Sequence, residues 1–122
     1  MPNNRRRLNK PVSGYHMLMI LSAVDYSFHI EEEKIIREYI FQEFPFKVNL
    51  DNEIDLIASL DHSEWHQHFL QCMDDFYADS TEEERNSLLK FALYLAKADG
   101  IITSEENFYL KSLFEAWDHS HE

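Results

Sequence analysis

Asp99-Gly100-Ile101-Ile102-Thr103-Ser104-Glu105-Glu106 repeats, in order and without a gap, the pattern of Asp25-Tyr26-Ser27-Phe28-His29-Ile30-Glu31-Glu32. Each stretch follows an apolar segment and opens an amphipathic one, so each reads as a corner between two helices. The register extends outward: Leu21 matches Leu95, Ile36 matches Leu110, and Ile40 matches Phe114. Duplicated helix pairs tend to pack about a pseudo-twofold axis. The two acidic corners are therefore expected to be spatial neighbours on one two-part surface.

Working outward from the corners, the first helix is predicted from about Ser13 to Asp25 and is apolar on nearly every side, which marks it as buried. An amphipathic helix follows from about Ile30 to Glu43, stopped by Pro45. Asp51 to Leu60 predicts a short helix capped by Asp51. Asp61 or Ser63 restarts the chain into a longer helix reaching about Ala78, with Trp65, Phe69, Met73 and Phe76 or Tyr77 on its buried stripe. Ser80-Thr81-Glu82-Glu83 has the form of a capping box and opens a second central helix, about Thr81 to Asp99, expected to cross the first. Thr103 and Glu106 form another such box at the start of the last helix, about Ser104 to Asp118.

The fold class is all-α: a single compact bundle of about six helices with two pseudo-repeated helix-corner-helix units. Residues 1–12 are expected to form a flexible basic lead, 13–118 the helical domain, and 119–122 a frayed tail. Only 2 Gly and 3 Pro in 122 residues leave little material for the turns of an all-β fold. The same scarcity of glycine excludes nucleotide-binding fingerprints.

A formal charge of -12 sets the class of partner. Arg5, Arg6, Arg7 and Lys10 lie in the lead, so the rest of the chain is more acidic still. Such a body repels nucleic-acid phosphates and anionic lipid and favours cations or a protein partner with a basic surface. The lone Cys72 forms no internal disulfide, and the cytoplasm is the expected compartment. The apolar run Met17 to Val24 is far short of the roughly 18 to 20 residues of a membrane-spanning helix, and neither a span nor a signal peptide is expected.

Ala98-Asp99-Gly100-Ile101-Ile102-Thr103-Ser104-Glu105-Glu106, set between an apolar and an amphipathic helix and duplicated in an acidic all-α chain, resembles the TerB-like (tellurite-resistance) domain family. The resemblance covers about residues 14 to 118. At the first corner Tyr26 replaces the glycine that such a turn favours. The resemblance implies a helical bundle with an acidic, metal-binding face, found in stress-response and tellurite-resistance systems and in co-chaperone architectures. It implies no catalytic reaction.

Asp25 and Asp99 fall at helix C-termini, where a carboxylate is disfavoured by the helix dipole. Two accounts compensate for this. Either each Asp is a clasp that accepts N–H bonds from the following helix, or Asp25, Glu32, Asp99 and Glu106 share a weakly held divalent ion, calcium, magnesium or zinc, because hard cations take carboxylate oxygens from several segments. An EF-hand is excluded: with Asp99 and Glu106 at the fifth and twelfth loop places, the first and third ligand places fall on Leu95 and Lys97. The runs Glu31-Glu32-Glu33 and Glu82-Glu83-Glu84 complement helix N-termini.

His62 and His66 stand one helical turn apart, a spacing used by zinc, with Asp61, Glu64 and His68 nearby. Glu64 is one place late for the H-E-x-x-H arrangement of metalloproteases, so a solvated face is the competing account. Cys72 lies in an apolar stripe and reads as a buried thiol without a basic neighbour.

Three functions follow. The first is a non-enzymatic TerB-like stress module whose acidic face binds a divalent cation or a protein partner. The second is a protein-interaction domain of adaptor or co-chaperone type whose carboxylates only cap helices. The third is a metal-dependent hydrolase using His62 and His66.

Overall fold

Asn9 opens the first helix three residues ahead of the position that hydrophobic patterning predicts. Its side chain accepts the Val12 N–H at 3.0 Å, and Pro11 occupies a first-turn position where no N–H donor is needed. Pro11, inside the stretch expected as a flexible lead, therefore lies within the helix. The computed structural model describes residues 8–23, 30–44, 49–97 and 104–118. Among them run six α-helices and no strand: α1 Lys10–Ser22, α2 Ile30–Glu43, α3 Glu53–Ala58, α4 Trp65–Asp79, α5 Glu82–Lys97 and α6 Ser104–Asp118, with a short 3₁₀ turn at His62–Glu64 before α4. None of these helices is long and apolar enough to cross a membrane.

The α1 helix is the axis of the bundle. Every residue from Pro11 to Leu21 is buried, as its all-round apolarity predicts. Each large apolar side chain removed from water there contributes about 1.5–3 kcal/mol. At Gly14 a Cβ would stand 3.3 Å from both Ile40 Cδ1 and Phe76 Cε2, so the missing side chain lets α2 and α4 close on α1. The start of α1 is fastened to α4 by two backbone donors. Leu8 N–H reaches Asp75 Oδ2 at 3.1 Å, and Lys10 N–H reaches Asp79 Oδ2 at 2.9 Å.

The main partner of α1 is α4, not α5. The expected second central helix, α5, is buried on one side only. One stripe of α5 is buried through Leu88, Leu89, Ala92, Leu95 and Ala96, but Tyr94 is 60% exposed and Lys90 faces solvent. Tyrosine counts as apolar in a pattern, yet its hydroxyl favours the wet side. The stripe of α4 is as expected, with Trp65, Phe69, Met73 and Phe76 buried, while Tyr77 is exposed. Consecutive pairs α1–α2 and α5–α6 pack together, consistent with two helix-corner-helix units. Asp25 and Asp99, and with them the spacing of the two corners, lie outside the described residues.

Helix entrances depart from the predicted caps by single residues. The capping box of α5 is Thr81 with Glu84: the Thr81 hydroxyl accepts the Glu84 N–H at 3.1 Å, and Glu84 Oε1 accepts the Thr81 N–H at 2.9 Å. Before α3 the cap position is Asn52, without a side-chain cap bond, and the Asp51 carboxylate accepts Arg37 Nη1 at 3.2 Å. Asp61 does restart the chain, in a reciprocal box with Glu64. The proposed box at the start of α6 involves Thr103, outside the described residues.

Candidate metal centre

His16 is 2% exposed in the middle of the apolar α1. A polar ring at such depth is tolerated only with hydrogen-bonding partners, and it has one on each side. Its Nε2 lies 2.7 Å from Glu53 Oε1, and its Nδ1 lies 2.8 Å from His68 Nε2. Glu53 is the first residue of α3 and is itself 8% exposed. On α4, His68 sits one turn before Cys72, and its Nε2 is 3.5 Å from the Cys72 sulfur. Cys72 is fully buried, as predicted, but His68 corrects the expectation that it has no basic neighbour.

The hydrogen bonds constrain the protons. A carboxylate at Glu53 accepts the Nε2–H of His16, which leaves His16 Nδ1 as the nitrogen turned toward His68. At 2.8 Å, one proton lies between His16 Nδ1 and His68 Nε2, since two N–H groups or two bare lone pairs would repel. His16, His68 and Cys72 each present one ligand atom, and these atoms lie within 4.8 Å of one another. A tetrahedral zinc with bonds of about 2.0–2.3 Å sets its ligand atoms roughly 3.3–3.7 Å apart. The His68–Cys72 separation already meets that spacing; the two imidazoles need to part by about half an ångström. Glu53 behind His16 supplies the carboxylate–histidine support that commonly orients a ligating ring.

Both imidazoles line a cavity of about 340 Å³ whose other walls include Leu8, Leu56, Leu60 and Gln71. Cys72 is not part of that lining. The cluster thus has an open side at the imidazoles and a closed side at the thiol.

The residues singled out by sequence are disposed differently. His62 packs on Trp65 with ring centroids 4.6 Å apart, and His66 packs on Phe108 at 4.5 Å and on Tyr109 at 5.4 Å. His66 Nε2 also lies 3.4 Å from the Ser112 hydroxyl. Glu32 stands half-buried in the first turn of α2, and Glu106 is buried in the first turn of α6. Their proposed co-ligands Asp25 and Asp99 lie outside the described residues. Among the described residues, the convergent group of potential ligands is His16, His68 and Cys72, not an acidic one. Its legible trace in the sequence is the four-residue spacing of His68 and Cys72 and the single histidine inside an apolar helix.

A second polar cluster flanks the first. The Tyr15 hydroxyl donates to Glu33 Oε2 at 2.7 Å, and Arg37 binds the same oxygen through Nε at 3.0 Å and Nη2 at 2.8 Å. Burial, and then the adjoining Glu33 carboxylate, push the Tyr15 hydroxyl far above the usual phenol range. Compared with known proteins, the chain matches no family model, no curated protein and no solved structure.

Proposed function

We propose that this chain is a metal-binding helical module that holds a borderline or soft ion, zinc or a similar transition metal, through His16 Nδ1, His68 Nε2 and Cys72 Sγ. The observation that carries this reading is the convergence of those three ligand atoms within 4.8 Å in the core, with Glu53 bound to the far nitrogen of His16. A thiolate with two imidazoles suits zinc, cobalt or copper(I) and not calcium or magnesium, which take oxygen ligands. The reading keeps the expected cation-binding role but moves the ion from the acidic corners to the bundle core. The TerB-like kinship and the Asp25, Glu32, Asp99 and Glu106 cation site stand as a separate proposal, distinguished by its preference for hard ions.

Cobalt(II) added to the metal-free chain tests the core site. A one-to-one complex with a thiolate-to-cobalt charge-transfer band is expected, lost in Cys72→Ser and weakened in His68→Ala. Absence of the band in the unmodified chain overturns the proposal. A purely structural role is the second reading, favoured by the 2.8 Å contact that already satisfies both imidazoles. Under it, cobalt leaves spectrum and melting temperature unchanged.

A further inference from the structure

We infer that the cavity bordered by α1, α3 and α4 is a binding site in its own right, for a small neutral apolar molecule of one or two fused rings. The site needs no metal ion and does not rest on the metal reading above. It follows from unequal helix lengths. With 13 and 15 residues, α1 and α4 each run for about 20 Å or more at 1.5 Å per residue, whereas the six residues of α3 cover only about 9 Å. Where α3 ends, Leu56, Ser59 and Leu60 line the space; Leu8 joins them from ahead of α1, His16 from α1 itself, and His68 and Gln71 from α4. At about 340 Å³ the cavity is at the small end of the roughly 300–1,000 Å³ typical of ligand pockets.

The walls select the occupant. Leu8, Leu56 and Leu60 make the described lining mostly apolar, and Leu8 and Leu60 are themselves packed against the hydrophobic core. Such walls favour a molecule that leaves water for them and penalise an ionised group that must shed its hydration. The Ser59 hydroxyl donates its proton to the Leu56 carbonyl at 2.7 Å, within the chain. A formal charge of -12 on the whole chain further opposes an anion. The imidazoles of His16 and His68, tilted 48° to each other with centroids 5.1 Å apart, put ring surface in the wall, and contacts between rings gain more than the area they bury. Leu56, 52% exposed, stands at the mouth.

The test titrates indole into the full chain with a chelator present to keep it metal-free, followed by amide chemical shifts. Indole-3-acetate and tryptamine carry the same ring with a negative and a positive charge. Saturable shifts gathered at Leu8, His16, residues 56–60 and residues 68–71 are expected, with both charged probes at least tenfold weaker. Leu56→Trp, at the exposed mouth, should weaken indole binding at least tenfold while the remaining amide spectrum stays that of the folded chain; Leu60→Phe serves as the second cavity-filling variant. No saturable shift up to the solubility of indole overturns the site. Shifts gathered elsewhere, or undiminished binding in both variants, overturn its placement in this cavity, and equal binding of either charged probe overturns the preference for a neutral guest. Because no metal is present, these outcomes are independent of the cobalt charge-transfer band, and either reading can fall without the other.

Discussion

Tyr15 and His16 are consecutive in α1, yet they enter polar clusters of opposite design. Tyr15 joins Glu33, Arg37 and Asp51, where the Arg37 guanidinium supplies positive charge to two carboxylates. His16 joins Glu53, His68 and Cys72, where nitrogen and sulfur atoms able to donate lone pairs face each other. Arginine is always protonated and cannot ligate a metal, so the first cluster carries its own cation and ties α1 to α2. Imidazole and thiol exchange protons for metal ions. Burial alone does not separate a structural knot from a candidate site; the kind of atoms that meet does.

The largest expected difference between the clusters is their response to zinc. At about 100 times its dissociation constant, zinc should stabilise the chain by about 2.7 kcal/mol in urea unfolding. Cys72→Ser should lose that gain, Arg37→Met should keep it, and magnesium should not reproduce it through this cluster. An undiminished zinc gain in Cys72→Ser would place the ion elsewhere.

Glu53→Ala comes next. It leaves the His16 Nε2–H buried without its carboxylate, and the metal-free chain should lose about 1–3 kcal/mol. Zinc affinity should also fall by roughly 10–100-fold, the usual consequence of removing a ligand's supporting carboxylate. A loss of stability with zinc affinity unchanged would make Glu53 a helix fastener alone.

Arg37→Met should have the smaller effect of about 1 kcal/mol or less, because the Arg37 side chain is 29% exposed and that of Asp51 is 75% exposed. Thermal or urea unfolding at low and high salt will check it. A loss matching that of Glu53→Ala would erase the contrast between the two clusters.

The smallest effect is expected at a third polar contact of α1, where Lys10 Nζ lies 3.0 Å from both Glu84 oxygens. Burial by itself would raise the Glu84 carboxyl, but the Thr81 backbone N–H and the Lys10 ammonium outweigh it and hold the group below its ordinary value of 4.5. Because the folded value is depressed, this stabilisation is fully present above the unfolded value and fades as pH falls through the folded one. Unfolding midpoints followed downward from pH 5 should therefore show a shallower decline in Lys10→Met, by under about 1 kcal/mol. Identical slopes would remove Lys10 from the account.

The helices themselves were legible in the sequence because their determinants are local. Apolar residues on every side of α1, the 3.6-residue stripe of α4 through Trp65, Phe69, Met73 and Phe76, and the helix stop near Glu43 each depend on near neighbours. Local pattern also placed Cys72 in the core. It misjudged α5, expected as a second central helix, whose Tyr94 and Lys90 face water.

The candidate site required tertiary structure. The four-residue spacing of His62 and His66 is repeated by His68 and Cys72, and nothing local says which face of α4 meets α1. That face is chosen by packing: Phe69 meets Tyr109 of α6, and Phe76 meets Gly14 of α1 and Trp117 of α6, leaving His66 against Phe108 and Tyr109 and turning His68 toward His16. His16 lies 52 residues from His68 and 37 from Glu53 along the chain. Helical periodicity determines which residues share a face, but only the close packing of α1, α3 and α4 determines which faces meet, and so which donor atoms converge.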